Sequence, residues 1–260
     1  MKLRFLGTGT SFGVPVVGCR CDVCTSPDAR DRRTRHAALL TGDDDRRLLI
    51  DTPPDLRQQL LDAETDRIDA VWYTHEHADH THGIDDLRVF SARNGPVPLH
   101  AGVDMVERME RRFSYIFDPE VRPHAGTTRP ELRFFPYDGN EPVRAAGFTV
   151  QPLPVPHGDT PTFGLRVGGL GYITDAKFLP DDVIAKLRGV RVLVLNALWF
   201  GSPHPTHFNV EEALAAAEQV GAEYTYLTHL THRMRHAEMA ARLPAGVAPA
   251  YDGLTIEIEP

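Results

Sequence analysis

Between Thr74 and His80 the chain reads THEHADH, which places four potential metal ligands, His75, His77, Asp79 and His80, within six residues. The preceding run Ile68–Tyr73 (IDAVWY) is short and apolar, the pattern of a buried strand, so the cluster falls where a strand opens into a loop. Extended backbone points every second side chain the same way, so His75 and His77 face together. As the chain turns, Asp79 and His80 face a second point a few ångströms on. One segment can thereby start two adjacent metal sites.

Such a segment needs other loops to close around it, and further ligands recur at predicted strand ends: His157, Asp175 and His229. Leu3–Gly7 predicts a strand running into GTGTSFGVP. That turn lacks P-loop spacing, its Lys-Ser/Thr and the dinucleotide pattern, so it reads as a tight strand-end turn. Strands are expected at His36–Thr41 and Arg47–Thr52, joined by the acidic turn Gly42–Asp45, and the second ends at Asp51. A helix from Asp55 through LRQQLLDAE carries Leu56, Leu60 and Leu61 on one face. Beyond the metal loop we expect a helix at Ile84–Arg93, a strand at Val97–His100 and a helix at Val103–Phe113. Ile116–Pro136, rich in Pro and Arg and without a period, reads as a lid or loop. The second half predicts strands at Phe148–Val155, Thr162–Val167, Tyr172–Thr174, Val190–Asn196, Tyr224–Thr228 and Leu254–Ile258. Helices are expected at Val210–Val220 and Ala237–Leu243. Two similar halves with helices outside predict an α/β fold layered helix, sheet, sheet, helix, a four-layered αββα sandwich.

The three cysteines all lie in CRCDVC, as Cys19, Cys21 and Cys24. An odd count packed this closely is a poor disulfide framework but suits thiolate ligation of zinc in a reducing compartment. His232, three residues past His229, completes a closed tetrahedral set for one structural zinc.

HEHADH followed by Gly83, with His157, Asp175 and His229 in order, resembles the metallo-β-lactamase superfamily of binuclear hydrolases over nearly the whole chain. The resemblance implies one hydrolase domain over residues 1–260. It implies that His75, His77 and His157 hold one metal, that Asp79, His80 and His229 hold a second, and that Asp175 bridges them. Asp51 matches the aspartate that orients the metal loop. Two divalent ions, zinc or manganese, roughly 3.5–4 Å apart would lower the pKa of a shared water and furnish a hydroxide nucleophile. Asp79 is thus expected at the catalytic centre. His207, in HPTHFN between Asp175 and His229, is expected beside a substrate phosphate, donating a proton to the leaving oxygen. His204 is its near rival.

The opening GTGTSFGVPVVGCRCDVC, IDTPPDLRQQL and LTHLTHR are similar to one subgroup, the phosphoribosyl 1,2-cyclic phosphate phosphodiesterases of the carbon–phosphorus lyase (phosphonate degradation) pathway. That implies a small-molecule cyclic phosphodiester substrate and a homodimer. A tRNA 3′-end processing endonuclease is the nearest rival, but residues 158–174 leave no room for a long tRNA-gripping arm, and a net charge of −8 disfavours nucleic acid. A relative of the pyrroloquinoline quinone biosynthesis protein, which shares a similar cysteine-bound zinc, is a further candidate, as is a non-catalytic metal-binding protein. Hydrophobic content of 42% with 25% charged residues is that of a soluble globular protein. Without an apolar run approaching ~18 residues or a secretory leader, a cytoplasmic protein away from membranes is expected. Arg20, Arg35 and Arg122 are candidates for gripping the rest of the substrate, with nothing in their spacing to select among them.

Overall fold

Along the second and third strands, Leu39 and Leu49 point one way and Leu40 and Leu48 the other, and all four are buried. Apolar residues on both faces of a sheet require a layer on each side. The computed structural model, which describes residues 1–259, supplies both layers. The first half forms β1 (Lys2–Gly7), β2 (Ala37–Thr41), β3 (Arg47–Ile50), β4 (Ala70–Trp72), β5 (Val97–Gly102) and β6 (Leu132–Tyr137). The second forms β7 (Val143–Ala145), β8 (Phe148–Val155), β9 (Thr162–Val167), β10 (Leu170–Ile173), β11 (Val192–Asn196), β12 (Tyr224–Thr228) and β13 (Val247–Pro249). β14 (Thr255–Glu257) returns to pair with β1. Two seven-stranded sheets result, ordered β14-β1-β2-β3-β4-β5-β6 and β13-β12-β11-β10-β9-β8-β7.

Leu40, Leu48, Ile50 and Trp72 meet Val150, Leu165, Tyr172 and Val194 between the sheets. The outer face of the first sheet is covered by α1 (Leu56–Asp62), α3 (Arg88–Asn94), α4 (Val103–Arg112) and α5 (Ser114–Phe117), while the short α2 (Ala78–Thr81) lies in the loop after β4. The other carries α6 (Asp181–Leu187), α7 (Val210–Val220) and α8 (His236–Arg242). This is the expected αββα sandwich.

Each half runs antiparallel and then switches to parallel pairing, at β3/β4 in one and at β10/β11 in the other. Ends of parallel strands all open on one edge of a sheet, which is where ligands gather in such folds.

Several local expectations differ from the structure. The stretch expected as a loop to Pro136 ends earlier, because Leu132–Tyr137 forms β6, parallel to β5. It lies at the sheet edge, where Pro136 can sit without breaking a ladder of bonds on both sides. Leu61 is 54% exposed, and the buried face of α1 is Leu56, Gln59 and Leu60. Ile84–Arg93 divides into a 3₁₀ turn, Ile84–Leu87, and then α3. The glycine-rich turn serves close chain approach: a Cβ on Gly7 would stand 2.0 Å from the Arg35 carbonyl oxygen.

Candidate metal centres

Four strands deliver the candidate ligands. The end of β4 releases Thr74–His80, β8 releases His157, β10 releases Asp175 and β12 releases His229. Asp175 and His229, with Asp51 at the end of β3, have φ values of 58°, 57° and 62°. Non-glycine residues in this left-handed region cost of order 1 kcal/mol or more, and such strain concentrates at functional sites.

His75 Nε2 lies 2.9 Å from His77 Nδ1, which lies 3.3 Å from His157 Nε2. With Asp175 these form one group whose ligand atoms all lie within 4.8 Å of one another. His80, Asp175 and His229 form a second. In it, His80 Nε2 is 3.4 Å from Asp175 Oδ2 and His229 Nδ1 is 3.2 Å from Asp175 Oδ1. Asp175 therefore belongs to both groups. Half-buried Asp79 holds a carboxylate oxygen 3.5 Å from His80 Nε2, at the rim of the second group rather than within it.

Electrostatics prepares these groups for cations. Burial pushes His75 and His157 below the usual imidazole range and His229 down to about 4, so their lone pairs are free at neutral pH. Burial also works against the Asp175 carboxylate, but His229 and His80 hold it well below the ordinary range. Burial opposes charge on His80 too, and Asp175, Asp79 and Asp51 overcome it. His80 Nε2, His229 Nδ1 and His207 Nε2 are buried without hydrogen-bond partners. Each such atom costs about 1–3 kcal/mol unless something completes it. Imidazole nitrogens about 2.0–2.1 Å from a tetrahedral cation stand about 3.3 Å apart, near the separations here. The donor set fits a pair of divalent cations.

Supporting bonds hold the ligands in place. The Asp51 carboxylate accepts from the Thr74 amide at 2.9 Å and the Thr74 hydroxyl at 2.8 Å, and His80 Nδ1 lies 2.7 Å away. That bond turns His80 Nε2 inward. His157 Nδ1 donates to the Thr206 carbonyl at 3.0 Å, which turns its Nε2 toward His77. His207 stacks on His229 with centroids 5.2 Å apart and brings Nε2 to 3.4 Å from Asp175 Oδ2. His204 stands behind it, its Nδ1 3.3 Å from His207 Nδ1. A capping box starts α7 directly after this loop: Asn209 accepts from the Glu212 amide at 2.8 Å and Glu212 from the Asn209 amide at 3.0 Å.

Sequence reasoning passed over His36. It is wholly buried behind the site, its ring 5.3 Å from His80 and 6.1 Å from His229, and its Nε2 is 3.1 Å from the Tyr172 hydroxyl. A single histidine at the head of a strand carries no local signal for such a place.

The cysteine cluster is a separate centre. Cys19, Cys21 and Cys24 Sγ lie 3.5, 3.4 and 3.3 Å from His232 Nδ1. Zinc–sulfur and zinc–nitrogen bonds of about 2.3 and 2.0 Å at a tetrahedral angle separate S and N by about 3.5 Å. The Cys24 amide bond leads in lowering the Cys21 thiol to about 6, whereas burial raises Cys24 to about 11. A cation among the sulfurs offsets the burial that opposes charge on Cys24, so this set fits zinc.

The family profile for the beta-lactamase superfamily domain matches residues 46–230, spanning every ligand from His75 to His229. The chain belongs to that family. It is 38% identical, over all of its own length, to an octanoyltransferase of Porphyromonas gingivalis, and covers 52% of that protein. The chain therefore spans about half the length of that relative. A solved structure described as a new diphosphatase from the PhnP family is 38% identical, with a TM-score of 0.90 over 99% of this chain and 98% of the other. Zinc-bound PqqB of Methylobacterium extorquens shares the fold with a TM-score of 0.80 at 20% identity, over 99% of this chain and all of that one. Among the described residues no helix is long and apolar enough to cross a membrane.

Proposed function

We propose that the chain is a metal-dependent phosphoric diester hydrolase whose substrate is a small cyclic phosphodiester on a sugar. The observation that carries this reading is the convergence of two donor groups on one shared carboxylate, Asp175, with His207 Nε2 buried, unpartnered and 3.4 Å from it. His75, His77, His157 and Asp175 would hold one cation, and His80, His229, Asp175 and the nearby Asp79 a second. Bound there, divalent ions supply Lewis acidity toward phosphoryl oxygens and lower the pKa of water.

The chain's own residues do the rest. Asp51 keeps His80 oriented, and Thr206 keeps His157 oriented. His207 Nε2 faces the space over Asp175, where it can hold a proton for the leaving oxygen. Its Nδ1 lies 2.9 Å from the Thr206 hydroxyl, which sets the ring. Opening a five-membered cyclic ester leaves the departing oxygen tethered, so one proton donor suffices.

The diphosphatase likeness favours a second reading, cleavage of a diphosphate ester, because the same charged cage suits a phosphoanhydride. Acyl transfer through a cysteine is disfavoured, because all three thiols are gathered on His232. Metal-loaded protein assayed on bis(p-nitrophenyl) phosphate, ribose cyclic phosphates and diphosphate esters tests the proposal. The cyclic phosphodiester is expected to be hydrolysed fastest, with turnover abolished by chelator and by Asp175→Ala. Turnover of diphosphate esters alone selects the second reading; turnover of none of them sinks both.

A further inference from the structure

His77 is the exposed member of the histidine centre, whereas His75, His80, His157 and His229 are all buried. Close packing fixes the backbone of those four and does much less for His77. Its ring is set by Thr160, whose hydroxyl lies 3.2 Å from Nε2 and leaves Nδ1 toward His75 and His157. The Thr81 hydroxyl donates to the His77 carbonyl at 2.9 Å, which ties the residue on its C-terminal side. On its N-terminal side stands Glu76.

Alternation in extended backbone turns Glu76 to the opposite side from the two ligands that flank it. There it meets α4. Glu76 Oε1 lies 3.0 Å from Arg108 Nε, and Oε2 lies 3.8 Å from Arg112 Nη2, the two arginines being one helical turn apart. Arg112 Nη1 also donates to the Glu76 carbonyl. That carbonyl belongs to the planar peptide joining Glu76 to His77, so the arginine pins the plane from which His77 starts. The carboxylate side chain is only 16% exposed, and its Oε2 and Arg108 Nε are shut off from water, which leaves the charges weakly screened. A surface ion pair does little for stability. This one is joined to the backbone of a ligand, so its effect falls on the geometry around the cation. The metal loop is thereby held on two sides, His80 from within by Asp51 and Glu76 from outside by α4.

We propose that Glu76 is a positioning residue for the cation held by His75, His77, His157 and Asp175: gripped by Arg108 and Arg112, it fixes the backbone of the exposed ligand His77. The inference rests on the two-cation reading of the site and adds to it a support outside the ligand shell. It also gives the arginines of α4 a task that their place on an outer helix does not by itself suggest. Both reach solvent, at 38% and 36% exposed, so each can turn to water when the carboxylate is removed.

Zinc retention tests it without turnover. Zinc-loaded wild type, Glu76→Gln, Arg108→Met, Arg108→Lys and the double variant Glu76→Gln/Arg108→Met are dialysed against graded EDTA, and the zinc kept per chain is counted by elemental analysis. Glu76→Gln is expected to give up one histidine-bound ion at a chelator concentration about 10-fold lower than wild type requires, the range for losing a group that supports a ligand. Arg108→Met should shift in the same direction, and Arg108→Lys, which keeps the charge, should stay close to wild type. The double variant should lose little more than Glu76→Gln alone, because both changes remove one interaction. Zinc on the cysteines is the internal reference and is expected to stay. Glu76→Gln that keeps its histidine-bound zinc as wild type does overturns the assignment, and so does a double variant whose loss is the sum of the singles. Parallel loss of the cysteine-bound ion also overturns it, because that marks general unfolding. A wild type that holds no zinc at the histidines fails the two-cation reading itself, and the positioning role with it.

Discussion

Asp51 shows how much one buried side chain can organise. Its carboxylate is wholly buried and is met by three groups, two from Thr74 and one from His80. Asn has nearly the same shape and tolerates the left-handed φ, but cannot accept from all three. Asp51→Asn is therefore expected to weaken cation binding at the histidine centre by about 10- to 100-fold, the usual cost of losing such a supporting bond. Any cation held by the cysteines should remain. Elemental analysis after mild dialysis against chelator reads both at once, and full retention of the histidine-bound metal would contradict this role. His75, His77, Asp79 and His80 were legible as candidate ligands because four donors crowd one short segment. His36 was not, because only folding brings it behind His80.

At the scale of elements, the cysteine loop is the part whose conformation depends most on one centre. Residues 11–28 contain no strand or helix, and their apolar cluster is limited to Val14, Val23 and Cys24 with partly buried Val16, Cys19 and Cys21. So small a cluster cannot order a long loop against its conformational entropy. Cys21→Ser is expected to remove one zinc and to cost roughly 2–5 kcal/mol, comparable to losing a native disulfide. Thermal melting with metal analysis checks this. A variant that melts like the wild type yet has lost only the histidine-bound ions would contradict it. The helix α7 illustrates the legible side: Asn209 and Glu212 are spaced as a capping box, and its bounds were readable as Val210–Val220. Strand β6 illustrates the other. Its Pro and Arg content argues for a loop, and only pairing with β5 makes it a strand.

Across the whole molecule, the two halves place Asp51 and Asp175 at corresponding points, each after the strand where pairing switches to parallel and each with φ near 60°. One supports a ligand and the other serves both donor groups. The ends of the chain are tied as well. Asp252 accepts from Thr8 and Thr34, and Asp31 accepts from the His236 amide at 2.6 Å. Burial, then Arg33 and Arg30, push His236 from 6.5 down to about 4. The unfolded chain takes up that proton first, so the stability from neutral His236 is full above pH 6.5 and is lost as pH falls toward 4. Thermal midpoints should thus fall between pH 7 and pH 5 more steeply in the wild type than in His236→Gln; parallel slopes would remove His236 from the account. The sequence by itself determined the donor chemistry, most strand and helix positions, and the layer order, because periodicity and ligand type are local properties. Tertiary structure alone decided that His157, Asp175 and His229 meet, that Asp79 stands at the rim, and that His36 lies behind His80. Those outcomes depend on sheet pairing and on which partner each side chain finds, and neither is encoded within reach of the residue itself.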